Sequence, residues 1–470
     1  MKLNLIAPKK NSDEREYWDA KFISLVYGAE KYECTFLSLA TVAALTPPGV
    51  DIRIVDENIE EINFDEEVDI VGITCNTSLA LRAYEIADEF RKRGIKVVLG
   101  GIHPSMLPQE AIQHADAVVI GETENVWSQL ISDYKERCLK RFYESLEKPC
   151  LDNQPVPRYD LLKNEKYVFH VVQTTRGCPY DCEFCSVKPM LGNKYRYKPV
   201  EKILKEIETL IKIQNKLIFF SDDNFGGDKE HTKKLLKELL SFQITYSVQV
   251  SLDVVKDKEL MELFVRSRCR KFLIGFESLS ENNLKQINKA KCNRIEEYAK
   301  HIEKIQFYGI EVVGSFMFGC DYDDDTVFES TVNFIKDTNI ASPVINILTP
   351  FPGTRLFERF KNENRILHTN WSKYDISHVC FMPKLMSPET LQNGYIWARQ
   401  QVYSYDSIFK RLKHLWHLWN QSNARLWDRI TPIITNLGSN DVAYSYPQAV
   451  HPDKFKYYQN MPIEKNVLKV

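Results

Sequence analysis

Three cysteines, Cys178, Cys182 and Cys185, have the types and spacing for chemistry, set Cx3Cx2C in Cys178-Pro-Tyr-Asp-Cys182-Glu-Phe-Cys185. They follow an apolar run and an Arg176-Gly177 turn. A short irregular loop of this kind lets three thiolates converge on one object. A closed structural zinc site takes four ligands, and a 4Fe-4S cluster normally takes four thiolates. The next cysteine along the chain is Cys269. Three thiolates would leave one iron of a cluster open to an outside ligand, which points to catalysis. The competing reading is a zinc knuckle completed by a distant residue. Of eleven cysteines, the other eight (Cys34, Cys75, Cys138, Cys150, Cys269, Cys292, Cys320 and Cys380) show no ligand spacing among themselves. Most of them read as buried thiols.

The elements that position these thiols are strand–helix repeats. Strands are expected at His170–Thr174, Leu217–Ser221, Tyr246–Leu252, Lys271–Phe276, Val312–Phe318 and Val344–Thr349. Six strands fall short of the eight in a closed barrel, so 166–355 reads as a six-stranded partial (β/α) barrel. Polar residues gather at the carboxyl ends of its strands: Thr175 to Cys178, Asp222-Asp223-Asn224, Asp253 and Glu277-Ser278. Residues 1–145 alternate in the same way, through Leu3–Ile6, Ile52–Val55, Ile70–Thr74, Val97–Leu99 and Val118–Ile120. These are short apolar runs of the kind buried in parallel sheets. Leu79–Arg93 reads as an amphipathic helix closed by Gly94. The order predicts an α/β, doubly wound domain, whose ligands sit at the carboxyl ends of the strands. Three turns should share that edge: Thr74-Cys75-Asn76-Thr77, Gly100-Gly101-Ile102-His103 and Gly121-Glu122. Residues 146–165, with three prolines, read as a linker, and 356–470 as a mainly helical C-terminal segment.

The cysteine loop after the first strand of a six-stranded partial barrel resembles the radical S-adenosylmethionine (SAM) enzymes. The aromatic Phe184 before the last cysteine resembles them too. The resemblance implies that Cys178, Cys182 and Cys185 hold a 4Fe-4S cluster whose open iron chelates SAM. Reduction then cleaves SAM to a 5′-deoxyadenosyl radical. It also implies SAM contacts at Phe184, at Asp222 or Asp223 (where Gly-Gly-Glu is commoner), at Ser251, at Glu277 and at Gly314. The acids have a plainer reading as helix N-caps. A doubly wound domain ahead of such a barrel resembles the cobalamin-dependent subfamily. Thr46-Pro47-Pro48, Val55-Asp56-Glu57-Asn58, Gly100-Gly101-Ile102-His103-Pro104 and Gly121-Glu122-Thr123-Glu124 look like its first domain. Cobalamin contacts are thereby implied at Thr74, Asn76, Gly100, Gly101, His103, Gly121 and Glu122. The two glycines would let the backbone approach the nucleotide tail closely. His103 also reads as a partner of its own loop, and Thr74 and Asn76 as helix caps. The Asp-x-His-x-x-Gly motif, whose histidine ligates cobalt in cobalamin mutases, does not occur in the sequence. Gly353-Thr354-Arg355-Leu356, Trp371 and Phe381-Met382-Pro383 look like the C-terminal segment of the hopanoid methylases and related enzymes.

By that resemblance the chain carries out a cobalamin-mediated methyl transfer to an unactivated carbon of a large apolar substrate such as a lipid, with an electron donor as partner. Two other readings remain: a non-methylating C–C bond formation or rearrangement, and a metal-binding protein without turnover. Ser407–Trp427 sets aromatic and leucine residues at helical spacing among Lys410, Arg411, Lys413 and Arg425. It reads either as an interfacial helix making peripheral membrane contact through 407–427 or as a packed helix with basic stems over its rim. Lys plus Arg (62) nearly balance Asp plus Glu (64), for a formal charge of −2. That balance argues against nucleic acid as a partner. No apolar run nears the roughly 20 residues of a membrane span, and no signal peptide opens the chain. The expectation is a cytoplasmic protein with reduced thiols.

Overall fold

The computed structural model describes residues 1–9 and 32–421, with a few helical positions between 433 and 443. Of these, 1–9, 32–181 and 185–249 belong to one compact unit, and 182–184 and 250–421 to a second.

The first unit opens with β1 (Lys2–Ala7), β2 (Tyr32–Cys34), β3 (Asp51–Asp56), β4 (Ile70–Thr74), β5 (Lys96–Gly100), β6 (Ala117–Ile120) and β7 (Phe142–Glu144). Six of these make a parallel sheet in the order β3-β1-β4-β5-β6-β7. The order reverses beside β1, the switch point at which doubly wound folds open a crevice. The strands are near-continuous apolar runs because helices cover both faces. Leu3, Ile6, Ile70, Val71, Val97 and Val118 are fully buried. One covering helix, Ala80–Lys92, buries Ala83, Tyr84, Ile86, Ala87 and Phe90 along one stripe. It places Arg91 and Lys92 at its carboxyl end, where they suit the helix dipole. The chain then turns at Gly94 with a positive φ of 77°.

The stretch 146–165 differs from a loose linker. It folds into two 3-10 turns, and Tyr159 is fully buried with its hydroxyl donating to the Val171 carbonyl at 3.1 Å. Proline hides periodicity, but one large aromatic side chain still anchors the segment.

A second parallel sheet follows, from β8 (Tyr167–Val172), β11 (Leu217–Phe220) and β12 (Tyr246–Gln249) of the first unit to β13 (Cys269–Glu277), β14 (Glu311–Phe318) and β15 (Ser342–Ile347) of the second. Between β8 and β11 lie two short antiparallel strands, β9 (Thr175–Arg176) and β10 (Arg196–Tyr197). The large sheet runs β15-β14-β13-β12-β11-β8-β2. The six strands of a partial barrel therefore stand in sequence order, as expected. The seventh, β2, pairs Tyr32 with Tyr167 and Cys34 with Phe169. Three residues carry no readable period, so β2 was missed.

The second unit adds a helical C-terminal region: Arg355–Asn362, Pro388–Val402 and Tyr405–Gln421. The last helix corrects one expectation. Arg411, assigned to a basic outer side, is 1% exposed. It donates to the Val402 carbonyl (2.6 Å), to Ser407 Oγ (2.7 Å) and to Asn436 Oδ1 (2.7 Å). A carbonyl at the end of the preceding helix has no partner within that helix, and a guanidinium supplies one. Tyr405 and Phe409 are exposed, whereas Ile408 and Leu415 are buried. Residues 422–427 of the candidate interfacial stretch lie outside the described residues. Among the described residues, no helix is long and apolar enough to cross a membrane.

Candidate active site

In the first unit, the carboxyl ends of β4, β5 and β6 open on a cavity of about 330 Å³. Thr74, Gly100, Gly101, Gly121 and Glu122 line it, as their place at the strand ends predicts. Its walls are mostly apolar, with Leu5, Leu37, Val42, Leu45, Val98 and Trp127. Gly101 has φ +97°, and a Cβ there would fall 2.7 Å from the Cys75 carbonyl oxygen and 2.8 Å from Thr74 Oγ1. Only glycine fits this crossing. The same turn is tied down by Ser105, whose Oγ donates to the Gly101 carbonyl (2.6 Å) and accepts from the Gly121 N–H (2.9 Å). Two other candidates do different work. Asn76 caps the following turn by accepting from the Leu79 N–H. His103 is fully buried, with Nε2 3.3 Å from Glu110 and its backbone N–H on the Cys75 carbonyl.

Glu122 has partners that sequence reasoning missed. It accepts from Arg176 (2.7 Å) and from both terminal nitrogens of Arg196 (3.1 and 2.6 Å). Glu124 takes Arg176 as well, at 2.6 Å. The two arginines face each other across the β9–β10 ribbon, which brackets the cysteine loop. Spacings of 54 and 74 residues left no local signal for this clamp. The same cavity also touches Gln173, Arg176, Met190, Leu191 and Ser221. One space is therefore bordered both by the first domain's strand ends and by residues flanking the cysteine loop.

The cysteine loop crosses itself at its root. Gly177 has φ +87°, and a Cβ there would sit 2.4 Å from the Lys194 carbonyl oxygen. The Cys178 N–H donates to the Gly192 carbonyl at 3.2 Å. Cys178, Cys182 and Cys185 are all half-buried. By contrast Cys75, Cys269, Cys320 and Cys380 are buried, and burial pushes their thiols up, away from thiolate character. Those four are the inert thiols expected, whereas Cys138 and Cys150 are exposed. Among the described residues, no three His, Cys, Asp or Glu side chains are gathered tightly enough to hold a single metal ion. A cluster asks for less, because each thiolate binds a different iron. Three half-exposed thiols on one short loop are the donor set such a cluster takes.

The adjacent acids after β11 separate into two roles. Asp222, 1% exposed, accepts from the Thr174 N–H (2.6 Å), the Thr175 N–H (3.0 Å) and the Thr174 hydroxyl. It is the tie between the ends of β8 and β11. Asp223 takes the Gly177 N–H, yet its Oδ2 is buried with no hydrogen-bond partner. Burial, then the charge of Asp222, pushes its carboxyl up to about 6. A buried, unmatched acceptor beside the cysteine loop fits an ammonium group such as that of SAM.

In the second unit, Ser251 donates to Asp253 at 2.6 Å. Glu277 ends β13 at φ +67°, with the strand register shifting at Gly275/Glu277. Left-handed backbone at a non-glycine residue costs on the order of 1–2 kcal/mol. The bend lets the Glu277 carboxylate fold over Gly275 and pair with Lys289 at 3.2 Å. Gly314 is packed closely, since a Cβ would meet Ile340 and Phe276 at 3.1 Å. Glu183, between Cys182 and half-buried Phe184, accepts both prongs of Arg359 at 2.7 and 3.0 Å. Arg359 also reaches Asp321 (2.6 Å), which Arg365 (2.8 Å) and Lys384 (2.9 Å) share.

Comparison with known proteins agrees with this arrangement. Residues 172–335 match the radical SAM superfamily, 23–131 a B12 binding domain, and 354–438 a domain of unknown function, DUF4070. The bacteriochlorophyllide d C-8(2)-methyltransferase of Chlorobaculum tepidum is 33% identical over 391 residues, covering 80% of this chain and 87% of that protein. The chain belongs to the radical SAM enzymes with a cobalamin-binding domain. Another relative in this group is the hopanoid C-2 methylase of Rhodopseudomonas palustris, 28% identical over 78% of this chain and 74% of its own. The likeness extends across methyltransferases named for different substrates, so it marks the broader group rather than a hopanoid methylase subtype. The fold is shared with the cobalamin-dependent SAM radical enzyme OxsB, solved with aqua-cobalamin and SAM (TM-score 0.66, 14% identity, 94% of this chain and 72% of that chain).

Proposed function

We propose that this radical SAM enzyme transfers a methyl group from SAM, by way of cobalamin, to an unactivated carbon of a large apolar substrate. One observation carries the reading. The cavity lined by Thr74, Gly101 and Gly121 is also lined by Arg176, Met190 and Ser221, next to the cysteine loop and the paired acids. A radical source and a methyl carrier that must reach the same carbon need such a common space. When bound, the cluster with SAM supplies a hydrogen-abstracting radical and cobalamin supplies a methyl carrier. The chain's own residues would do the rest. Cys178, Cys182 and Cys185 would hold the cluster, and Asp223 would receive the SAM ammonium. Gly101, which lets its turn cross close over Cys75, would help shape the corrinoid side of the cavity. The Leu37, Leu45 and Trp127 side of the cavity would exclude water from reactive species. Relatives named for a bacteriochlorophyllide and a hopanoid support a hydrocarbon-rich substrate. Exposed Tyr405 and Phe409, beside Lys410 and Lys413, support peripheral contact with a membrane that stores one.

The test uses the anaerobically reconstituted full chain with methyl-labelled SAM, a reductant and a lipid and pigment extract. The expected result is 5′-deoxyadenosine together with a product carrying the labelled methyl. 5′-Deoxyadenosine with an altered but unlabelled product would replace this reading with C–C bond formation or rearrangement. No 5′-deoxyadenosine under any condition would leave a metal-binding protein without turnover.

A further inference from the structure

We propose that Arg359 is a positioning residue for the cluster loop, so that the C-terminal domain of unknown function is part of the cluster site. The inference rests on the cysteine loop's holding the cluster. A loop of this length has no hydrogen-bond ladder of its own, and something else must set its shape. Glu183, between Cys182 and Phe184, is held at four points. Its N–H donates to the Ile287 carbonyl at 3.0 Å, and its carbonyl accepts from the Leu356 N–H at 3.1 Å. Its two carboxylate oxygens accept the Nε and Nη2 of Arg359 at 2.7 and 3.0 Å. Three of these four contacts come from the first turns of the helix Arg355–Asn362.

Arg359 is itself held in place. Its remaining nitrogen donates to Asp321, just past β14, at 2.6 Å. Asp321 is fixed in turn by Arg365 and Lys384 from the same C-terminal domain. The guanidinium of Arg359 therefore bridges a residue of the cysteine loop and the end of a barrel strand. A planar fork can satisfy both carboxylates at once, whereas an ammonium cannot reproduce the paired geometry. The Glu183 side chain is 10% exposed and that of Asp321 3%, so the pairing is sheltered from solvent. A substrate lid alone would have no need to grip the residue between two cluster ligands. Contacts that orient ligands typically change metal affinity about 10- to 100-fold when lost.

The experiment compares wild type, R359K and R359Q as full chains, reconstituted anaerobically with limiting iron and sulfide. Both variants are expected to bind the cluster about 10- to 100-fold more weakly. Their reduced clusters should lose the wild-type change in paramagnetic resonance on adding SAM. Cobalamin uptake, a property of the first unit, should stay at the wild-type level. Wild-type iron content and spectra in both variants would overturn the inference. Hydrogen exchange on the wild-type holoenzyme gives a readout that needs no variant. The Glu183 and Leu356 amides are expected to exchange slowly, and fast exchange at both would overturn it equally. C182A is run in parallel to separate the two claims. If C182A keeps full iron, the cysteine-loop reading itself falls; if C182A loses iron while R359K and R359Q keep it, only the role of Arg359 falls.

Discussion

Replacing Asp223 with asparagine should stabilise the empty protein and weaken its hold on SAM, two effects of opposite sign from one atom. Asp223 Oδ2 is buried without a partner, and the carboxyl stands at about 6 instead of 3.8, chiefly through burial. That difference corresponds to roughly 3 kcal/mol against the charged form at neutral pH. Asparagine keeps an oxygen for the Gly177 N–H and removes the charge, though its own unmatched amide donor costs about 1 kcal/mol. The net gain is on the order of 2 kcal/mol, or a few degrees in the unfolding of the first unit. The sign with pH follows from linkage. Because the folded pKa lies above the unfolded one, the penalty is full above about pH 6, shrinks as pH falls through that value, and vanishes below about 4. The stability advantage of the variant should therefore be present at pH 7.5 and close as pH drops. A charge-assisted hydrogen bond to an ammonium is worth about 1.5–3 kcal/mol, so SAM should bind roughly 10- to 100-fold more weakly. Calorimetric unfolding of the apo-protein across pH and a SAM titration of the cluster-loaded enzyme measure the two effects. A variant less stable at pH 7.5, with wild-type SAM affinity, would refute the reasoning and make Asp223 a structural residue like Asp222.

Three further outcomes can be checked. Cys182→Ala should abolish both cluster iron and 5′-deoxyadenosine formation, read by iron analysis and chromatography; full activity would remove the central claim. Gly101→Ala adds a methyl 2.7 Å from a backbone oxygen at φ +97°, a strain of at least roughly 1–2 kcal/mol. Cobalt content should fall more than about tenfold while iron content is retained. Glu122→Gln leaves Arg176 and Arg196 short of a buried counter-charge, and should cost on the order of 3–5 kcal/mol. That loss would appear as faster exchange across the β9–β10 ribbon, and unchanged exchange there would count against the clamp.

Features set by short stretches of chain were legible from sequence. The Cx3Cx2C loop is a local pattern, and its three thiols are all half-exposed, as Cys292 also is, while Cys75, Cys269, Cys320 and Cys380 are buried. Strand β4 occupies Ile70–Thr74, the span its apolar run marks, because a parallel strand buried on both faces must be apolar throughout. The glycines at 100, 101 and 121 were recognisable as strand-end turns, and all three border the cavity. Strand β2 was not legible, since pairing with β8 decides it and three residues carry no period.

The remaining features depended on distance in sequence. Asp222 and Asp223 are neighbours of the same chemical type, so composition cannot tell them apart. Successive side chains at a strand end point to opposite sides, and only the fold shows that one meets Thr174 while the other takes the Gly177 N–H and leaves its Oδ2 unmatched. Arg176 and Arg196 acquire their role from Glu122, 54 and 74 residues away. Arg359 acquires its role from Glu183 across 176 residues. The sequence by itself determined the donor set and the alternation of elements, because both are written in neighbouring residues. Tertiary structure alone decided which charges meet, because a charge pair depends on where two distant segments are brought together.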